Sequence, residues 1–485
     1  MSATLSAPLS LPPLNTQKFY INGAWVAPQG SQTIGVINPA TEEEIATLAM
    51  GTAADVDAAV TAASAAFQTW QFSTKSERLD LLAAIRSAYE ARYDDMVAAI
   101  TAELGAPVDL SRNAQAKVGI GHLDGVVRAL ERMDFEALNA EGDLILHEAI
   151  GVCGLITPWN WPINQIALKV LPAIAAGCTV VLKPSEVTPL NALLYGEILH
   201  AAGVPAGVFN LVNGDGPTVG SALSRHEDVA MMSFTGSTRA GTQVSKDAAD
   251  TVKRVTLELG GKSPNIILDD ADLEEAVTCG TRHVMNNTGQ SCNAPTRMLV
   301  SRKNYAAAKE IAGRVAAATQ VGNPQTPGQH IGPVVSDVQY GRIQALIETG
   351  IAEGASVLAG GAGLPEGVNR GYFVRPTVFA DVDNQATIAR EEIFGPVLTL
   401  IAYEDEAEAI AIANDTPYGL AAYVQGEADH ALKVARQLKA GMVHINGSDI
   451  SYGSPFGGYK RSGVGREGGV YGIEDFCEIK AVSRP

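Results

Sequence analysis

The sequence predicts an α/β fold with more than one domain, because short apolar segments alternate with amphipathic stretches of helical length from Gly151 onward. These apolar segments are nearly continuous, which is typical of parallel strands covered by helices on both faces. At 485 residues the chain is long enough for two to four domains. We therefore expect a Rossmann-type, doubly wound domain, followed by a second α/β domain.

The N-terminal part predicts an arm and two helices. The first fifteen residues are rich in Ser and Pro and predict a loose arm. An Ala-rich helix is expected over Asp55–Trp70, and a second over Ser76–Leu104, where apolar residues recur at three- and four-residue steps. Gly105 and Pro107 follow the second helix as stop signals.

The two alternating regions supply the predicted sheets. In the first region, helices are expected to begin near Ile163, Pro189, Pro217 and Thr238, between strands at Gly151–Ile156, Cys178–Leu182, Val208–Val212, Met231–Phe234 and Val255–Leu259. In the second region, from about Ala271 to Gly441, we expect strands at Arg297–Val300, Val374–Phe379 and Val397–Tyr403, and helices through Tyr305–Thr319 and Tyr340–Gly350. Glycine-rich segments lie at Gly360–Gly363 and Gly457–Gly468.

Composition excludes several classes of protein. A charged fraction of 18% with 46% hydrophobic residues excludes an intrinsically disordered chain. The net charge of −18 argues against binding to nucleic acid or to an anionic membrane. The longest apolar run, Leu171–Leu182, is too short to span a bilayer, and the start lacks the basic residues of a secretory signal. A soluble, cytoplasmic protein is expected.

The five cysteines show no metal-binding or disulfide pattern, since no pair has C-x-x-C spacing. Cys153, Cys178, Cys279 and Cys477 lie in apolar or helical surroundings and are interpreted as packing residues. Cys292 differs, because it lies in the polar turn Gly289–Ala294. It is a candidate nucleophile, with an inert buried thiol as the alternative.

Two further side chains are candidates for catalysis. Glu258 stands between two leucines at the end of a predicted strand, where burial would raise its pKa into the range of a general base. A strand-end carboxylate that faces water is the alternative. Asn160 lies in a segment bounded by Pro158 and Pro162, and its amide is suited to stabilising an oxyanion. The alternative is a rigid loop with packed tryptophans.

A dinucleotide site is suggested by two segments that follow predicted strands. Gly236-x-Thr238-x-x-Gly241 differs by one residue type from the dinucleotide fingerprint, and Ser237 and its backbone are placed to hold a pyrophosphate. An ordinary helix N-cap explains the same residues. Glu186, in Lys183–Glu186, is placed to accept hydrogen bonds from a ribose, which favours NAD over NADP. A solvated turn with a charge pair is the alternative there.

Together these segments resemble the NAD(P)-dependent aldehyde dehydrogenase superfamily, over nearly the whole chain and in the family's order. The motifs that carry the resemblance are Pro158-Trp-Asn160, Lys183-Pro-Ser-Glu186, Phe234-Thr-Gly-Ser-Thr238, Glu258-Leu-Gly-Gly261, Gly289-Gln-Ser-Cys292, Glu392-Ile-Phe-Gly-Pro396 and Pro455-Phe-Gly-Gly-Tyr-Lys460.

The resemblance implies roles for individual residues. Cys292 would be the catalytic thiol, Glu258 the general base, Asn160 the oxyanion donor and Lys169 an active-site lysine. The implied NAD contacts are Thr157, Trp159, Lys183, Ser185, Glu186, Gly216, Ser237, Leu259, Glu392 and Phe394. The implied substrate pocket includes Trp161, Asn293, Tyr452 and Phe456, with Gln165, Leu168, Ser291 and Ile450 beside them. No metal is implied.

The resemblance also implies an organisation and a reaction. Residues 1–129 and 150–258 would form the NAD-binding domain, 259–461 the catalytic domain, and 130–149 with 462–485 a small β oligomerisation element of a homodimer or homotetramer. The expected reaction is NAD-dependent oxidation of a medium-sized aliphatic or aromatic aldehyde, or a semialdehyde, through a Cys292 thioester that water hydrolyses. The alternatives are a coenzyme-A-acylating enzyme and a catalytically silent relative with a binding or structural role.

Overall fold

The structure is a computed structural model that describes residues 10–483. Its strands are β1 (Phe19–Ile21), β2 (Ala24–Val26), β3 (Thr33–Asn38), β4 (Glu43–Ala49), β5 (Glu136–Leu138), β6 (Leu144–Ala149), β7 (Val152–Ile156), β8 (Thr179–Lys183), β9 (Phe209–Leu211), β10 (Val229–Thr235), β11 (Arg254–Glu258), β12 (Pro264–Ile267), β13 (Arg297–Ser301), β14 (Ser356–Ala359), β15 (Thr377–Ala380), β16 (Val397–Tyr403), β17 (Ala421–Gln425), β18 (Met442–Ile445), β19 (Gly463–Val464) and β20 (Cys477–Val482).

The α-helices are α1 (Ala53–Trp70), α2 (Lys75–Ala91), α3 (Tyr93–Leu104), α4 (Val108–Leu110), α5 (Lys117–Arg132), α6 (Pro162–Ala176), α7 (Leu190–Ala201), α8 (Ser221–Arg225), α9 (Thr238–Ala248), α10 (Leu273–Met285), α11 (Arg302–Ala318), α12 (Asp337–Ala352), α13 (Thr387–Arg390), α14 (Glu406–Asn414), α15 (Ala428–Ala435) and α16 (Gly469–Asp475). Short π-helical segments lie at Ser111–Gln115 and Gly216–Gly220, and 3-10 segments at Ala249–Thr251, Asn286–Gly289 and Lys460–Ser462.

The first large sheet has eight strands in the order β19-β11-β10-β7-β8-β9-β1-β2. Its five central strands are parallel. Strand β7 lies between β8 and β10, so the chain winds outward from it in both directions. That arrangement opens a crevice at the carboxyl ends of β7 and β10, where doubly wound sheets bind their ligands.

The second large sheet has seven strands in the order β14-β15-β16-β13-β12-β17-β18, all parallel except β14. A three-stranded antiparallel sheet, β20-β6-β5, joins the C-terminal strand to residues 136–149. These sheets confirm the predicted α/β class with two α/β units and a small β element. The domain boundaries and the oligomerising role of the small sheet stay predictions.

Three predicted elements need correction. Ser76–Leu104 is two helices, because Arg92 has φ −112° and ψ 18°, outside the helical range, and Asp94 and Asp95 then begin α3 with acidic residues. The strand predicted over Val374–Phe379 begins at Thr377, after Pro376, whose nitrogen cannot donate to a sheet. The first sheet is not wholly parallel, because β1, β2 and β19 are short antiparallel strands.

Two other predictions concern the ends of elements. The helix predicted near Pro217 is a π-helical turn, Gly216–Gly220, that runs into the short α8. Most of the loose arm predicted for the first fifteen residues lies outside the described residues, and residues 10–15 of it form neither helix nor strand. Among the described residues, no helix combines the length and apolar character needed to cross a membrane.

Candidate active site

Segments from both large sheets meet around Cys292. Asn160 follows β7 and Glu258 ends β11 in the first sheet, whereas the turn that carries Cys292 precedes β13 in the second. The two sheets approach closely here, since a Cβ atom on Gly261 would lie 2.4 Å from the carbonyl oxygen of Cys292. Any side chain at position 261 would push the Cys292 turn away.

A cavity of about 160 Å³ opens at this meeting point. It brings Cys292 and Asn160 together with five of the predicted NAD contacts, Trp159, Ser237, Leu259, Glu392 and Phe394. Its remaining lining residues are Pro158, Thr235, Gly236, Gly260, Gln339 and Arg342. The candidate nucleophile and half of the predicted dinucleotide contacts therefore share one space.

The turn before Cys292 is held in an unusual backbone conformation. Asn287, Thr288 and Gly289 have φ values of +48°, +55° and +73°, three consecutive residues in the left-handed region. A Cβ atom on Gly289 would lie 1.9 Å from the carbonyl oxygen of Gly395, so this position requires glycine. Strain of this kind persists only where surrounding contacts fix the backbone, and it is common at functional sites.

Those contacts form a buried amide network that also fixes Asn160. The backbone carbonyl of Asn160 accepts hydrogen bonds from Gln115 Nε2 (3.1 Å) and Asn287 Nδ2 (2.9 Å). Asn160 Nδ2 donates to the carbonyl of Gln290 (3.1 Å), and Gln290 Oε1 accepts from the backbone N–H of Val335 (2.9 Å). One N–H of Asn160 Nδ2 is thus held toward the Cys292 turn, and the second remains available to a ligand.

Burial raises the pKa of the Cys292 thiol far above its ordinary value, and the negative charges of Glu392 and Glu258 act in the same direction. The backbone N–H groups of Cys292 and Asn293 oppose this effect only in part. The thiol is therefore protonated at neutral pH and needs a base before it can attack a carbon atom.

Glu258 is 2% exposed, and neither carboxylate oxygen has a hydrogen-bond partner among the described residues. Its pKa is raised well above the ordinary value by burial first and by the charge of Glu467 second, while the charge of Lys169 opposes them. The direction of this shift agrees with the expectation for a general base. Because its oxygens are unpartnered, the carboxylate is free to accept a proton from a ligand or from water.

Lys169 contacts a different carboxylate. Its Nζ pairs with Glu467 Oε1 at 2.5 Å and donates to Ser233 Oγ at 3.0 Å, with both ionic side chains almost fully buried. Lys169 therefore acts on Glu258 only through its charge. The sequence analysis did not find Glu467, because no local pattern marks it and 298 residues separate it from Lys169.

The predicted ribose and pyrophosphate contacts lie along the crevice of the first sheet. Lys183 Nζ donates to the carbonyls of Pro184 (3.0 Å) and Gly214 (2.6 Å) and pairs with Glu186 at 3.2 Å, so the charge pair is present. Ser237 Oγ accepts from the N–H of Ala240 (3.3 Å) as the N-cap of α9. Ser185 Oγ accepts from the N–H of Val187 (3.2 Å).

Three further residues in the crevice suit a nucleotide. The hydroxyls of Thr157 and Thr235, at the carboxyl ends of β7 and β10, are buried without partners among the described residues. Open space surrounds the Cα of Gly216, where a backbone can approach a phosphate. The residues present therefore fit a dinucleotide.

On the other side of the cavity, Glu392 and Phe394 are fixed by neighbours that the sequence analysis missed. Glu392 Oε1 accepts from the N–H of Gly261 (3.0 Å), and burial raises its pKa to about 7. Gln339 Nε2 donates to the carbonyl of Phe394 (2.9 Å), and Arg342 donates to that of Glu392 (3.0 Å). The ring of Phe394 meets Trp159 edge to face, with centroids 5.3 Å apart.

The predicted substrate residues lie around the opposite face of the Cys292 turn. Trp161 Nε1 donates to Ser291 Oγ (2.8 Å), and the carbonyl of Asn293 accepts from the hydroxyl of Tyr423 (3.0 Å). Phe456 and Ile450 pack beside Cys292 against a small apolar cluster around Leu420. Tyr452 lies farther out and is partly exposed. Gln165 and Leu168 are buried on α6.

The interpretation of the other cysteines is wrong at one position. Cys153, Cys178 and Cys477 are buried, but Cys279 is exposed on α10 and does not pack in a core. Within residues 10–483, no group of three or more His, Cys, Asp or Glu side chains is arranged to hold a metal ion.

The chain is also similar in sequence to known proteins. The model of the aldehyde dehydrogenase family matches residues 25–482. The chain is 53% identical to a 3-succinoylsemialdehyde-pyridine dehydrogenase from a Pseudomonas species, over 96% of this chain and 98% of that one.

Two solved structures are also similar. An aldehyde dehydrogenase from Bartonella henselae is 52% identical, with a TM-score of 0.95 over 97% of this chain and 100% of that one. A mutant of aldehyde dehydrogenase C from Pseudomonas syringae, in complex with NAD+ and octanal, is 50% identical, with a TM-score of 0.96 over 98% of each chain.

Proposed function

The chain belongs to the aldehyde dehydrogenase family, and on that premise we propose that it oxidises a medium-sized aldehyde to a carboxylic acid, with NAD as the hydride acceptor and Cys292 as the nucleophile. The observation that carries the proposal is the single cavity that joins Cys292 and Asn160 to Trp159, Ser237 and Phe394. Asn160, Trp159 and Ser237 follow strands of the first sheet, whereas Cys292 and Phe394 precede strands of the second, and all five line this cavity.

In the first half of the reaction, Cys292 Sγ forms a bond to the aldehyde carbon, and the thiol proton leaves to a base. We assign this base to Glu258, whose oxygens have no partner among the described residues, whose pKa is raised, and whose charge acts on the Cys292 thiol. The carbonyl oxygen becomes an oxyanion, which the free N–H of Asn160 Nδ2 and the backbone N–H of Cys292 stabilise. Bound NAD supplies the acceptor for the hydride that leaves the same carbon.

In the second half, water hydrolyses the thioester on Cys292. Glu258, which has by then released the thiol proton to solvent, takes a proton from the water as the new C–O bond forms. The C–S bond then breaks, and that proton passes to the sulfur to regenerate the thiol. The buried pair of Lys169 and Glu467 lies beside Glu258 and tunes its proton affinity through charge. A base in this position supports hydrolysis by water over transfer of the acyl group to coenzyme A.

The ribose contact supports NAD as the cofactor. Glu186 lies at the carboxyl end of β8 and is held by Lys183. A carboxylate there accepts hydrogen bonds from the ribose hydroxyl and repels a 2′-phosphate, so NADP is the poorer cofactor.

The relatives support the proposed size of the substrate. A chain of 53% identity is named for the semialdehyde of a pyridine compound, and one of 50% identity was solved with octanal. Trp161, Asn293, Tyr452 and Phe456 provide the corresponding mixed aromatic and polar surroundings near Cys292. We propose a medium-sized aliphatic or aromatic aldehyde, or a semialdehyde.

The test is NADH formation with a panel of aliphatic, aromatic and ω-carboxylated aldehydes, with NADP and coenzyme A in parallel reactions. We expect turnover with NAD, less with NADP, and release of the free acid without coenzyme A. Acyl-coenzyme A formation, with no free acid in its absence, would identify the acylating enzyme instead. Inactivity with every aldehyde would favour a catalytically silent relative. A homodimer or homotetramer in the cytoplasm remains a prediction.

A further inference from the structure

Two polar side chains near the Cys292 turn have no role in the proposed reaction. His122, on α5, is 9% exposed, and its Nε2 lies 2.6 Å from Asn164 Oδ1 on α6. The ring of Tyr452 meets His122 edge to face at 4.9 Å and covers Gly121 and Gly125, where a Cβ atom would overlap with it. This group therefore links two helices to the loop that carries Tyr452.

The hydrogen bond fixes the orientation of the Asn164 amide. Burial lowers the pKa of His122 to about 4, so its ring is neutral at ordinary pH and carries one N–H. His122 Nδ1 is buried without a partner among the described residues. Placing the proton on Nε2 leaves only a lone pair unpaired at Nδ1, whereas the other tautomer would bury an N–H without an acceptor, which is rarer in proteins. His122 thus donates to Asn164 Oδ1.

With Oδ1 turned to His122, the Nδ2 group of Asn164 points away from α5. None of the described residues accepts a hydrogen bond from it, and Asn164 is only half-buried. Trp161 is the N-cap of α6 and donates to Ser291, the neighbour of Cys292. Asn164 is three residues further along, in the first turn of α6, which corresponds to roughly 5 Å along the helix from the Trp161 position.

The surroundings favour a neutral ligand group over an anion. Trp161, His122 and Tyr452 are uncharged, so they offer no cation to balance a carboxylate. Burial first, and then the negative charge of Asp449, raise the pKa of Tyr452, which places a negative charge near this position. A neutral acceptor, such as a ketone oxygen or a ring nitrogen, can accept a hydrogen bond from the Asn164 amide without being repelled by the negative charge of Asp449.

From these contacts we propose that Asn164, held in one orientation by His122, donates a hydrogen bond to an acceptor atom carried by the aldehyde about four bonds from its reacting carbon. The enzyme therefore prefers oxo-substituted aldehydes to plain alkanals of the same length. Asn164 is the specificity-determining residue, and His122 is a positioning residue that acts through it. The inference rests on the proposed aldehyde oxidation.

The test compares kcat/KM for 4-oxooctanal and octanal, with NAD, in the wild type and in variants. We expect the wild type to favour 4-oxooctanal about tenfold, the effect of one hydrogen bond formed in a buried site. Asn164→Leu and the nearly isosteric Asn164→Asp both lack the N–H and should bring the ratio to about one or below. Asn164→Asp keeps the test valid if the leucine variant fails to fold.

The histidine variants separate positioning from packing. His122→Phe fills the same space without donating to Asn164 Oδ1, so the preference should fall. His122→Gln can donate to that oxygen and should restore part of the preference. Asn304→Leu, the same chemical change on α11 in the second sheet, is the matched control and should keep the wild-type ratio.

Four outcomes would overturn the inference. A wild-type ratio near one, or a ratio that Asn164→Leu and Asn164→Asp leave unchanged, would show that Asn164 only ties α5 to α6, and aldehyde oxidation would still stand. Failure of the wild type to oxidise either aldehyde would remove the proposed function and this inference with it. Loss of the preference in Asn304→Leu would show that it does not depend on Asn164.

Discussion

Cys292 is protonated at rest because burial and two neighbouring carboxylates hold the pKa of its thiol high. A nucleophile in this state gains reactivity only when a base takes its proton as the new bond forms. The raised pKa of Glu258 makes that carboxylate a strong proton acceptor once ionised. In the proposed mechanism, the high pKa of the Cys292 thiol is therefore matched by the high pKa of the carboxylate that takes its proton.

Cys292→Ala should abolish aldehyde oxidation while leaving NAD affinity within about twofold of the wild type. The thiol provides the only proposed covalent bond to the substrate, and the proposed ribose and pyrophosphate contacts lie along the crevice of the first sheet. Steady-state kinetics and fluorescence titration with NAD measure the two effects. Cys279→Ala, which changes an exposed thiol, is the matched control and should retain activity. Normal turnover in Cys292→Ala would contradict the assignment.

Glu467→Gln should shift the acidic limb of the hydrolysis rate to lower pH, by about one unit. The base works deprotonated, and the charge of Glu467 helps to raise the pKa of Glu258. Removing that charge, and leaving Lys169 unbalanced, both lower the pKa of Glu258. The pH dependence of thioester hydrolysis in single-turnover reactions measures the shift. An upward shift, or none, would show that the charge of Glu467 does not reach Glu258.

The sequence predicts the residues whose neighbours are unusual and misses those whose partners are distant. Cys292 differs from the other cysteines because its neighbours Gln290, Ser291 and Asn293 are polar, which is unusual around a residue that packs in a core. Glu467 has no such local signal, because its role depends on its contact with Lys169, which is distant in the sequence. The pair of His122 and Asn164 is missed for the same reason, as each looks like an ordinary polar residue on an amphipathic helix.

At the scale of elements, the turn over Asn286–Cys292 is the most constrained segment of the site. Three consecutive positive φ values and the contact of Gly289 with Gly395 set its path. Seven of the eight strands predicted from apolar runs lie within about two residues of observed strands, because buried parallel strands are nearly continuous in hydrophobicity. The break at Arg92, the edge strands β1, β2 and β19, and the interior strands β12 and β17 are among the elements missed, since segments of two to five residues carry little periodicity.

Gly289→Ala should lower the free energy of unfolding by about 3 kcal/mol and reduce kcat, because the new methyl group overlaps with the carbonyl of Gly395 and the residue must keep a positive φ. Chemical denaturation and steady-state kinetics measure both effects. Gly341→Ala, in α12 with nothing near its Cα, is the control and should be neutral or stabilising. Equal stability of the Gly289→Ala and wild-type proteins would show that the turn is adaptable.

At the scale of the whole molecule, one face of the three-stranded sheet carries an apolar patch that none of the described residues covers. Leu138 on β5 is 58% exposed and Val482 on β20 is 36% exposed, and both are register partners of Leu144 on β6, so the three side chains share that face. Exposed apolar strand residues of this kind are typical of contacts between subunits. This supports the predicted homo-oligomer.

Leu138→Glu should weaken that assembly, since it places a charge on the apolar patch that Leu138 forms with Leu144 and Val482. By sedimentation we expect the wild type at two or four times the 50.6 kDa of the chain, and the variant shifted toward 50.6 kDa. A substitution on another exposed apolar side chain, Val338→Glu on α12, serves as control. A wild type at 50.6 kDa, or an unaffected variant, would exclude this surface as the contact.

The reaction itself is a property of the whole molecule, because Glu258 ends a strand of the first sheet and Cys292 precedes a strand of the second. The most direct measurement is a rapid-mixing experiment on Glu258→Gln with NAD and octanal, followed by intact mass spectrometry. Because glutamine cannot take the thiol proton, the first turnover should be slower than in the wild type, but hydrolysis of the thioester should be slower still. We therefore predict NADH equal to the concentration of active sites, little turnover afterwards, and an acyl group on Cys292. Continuous turnover at the wild-type rate, or NADH formation with no adduct on Cys292, would contradict the account.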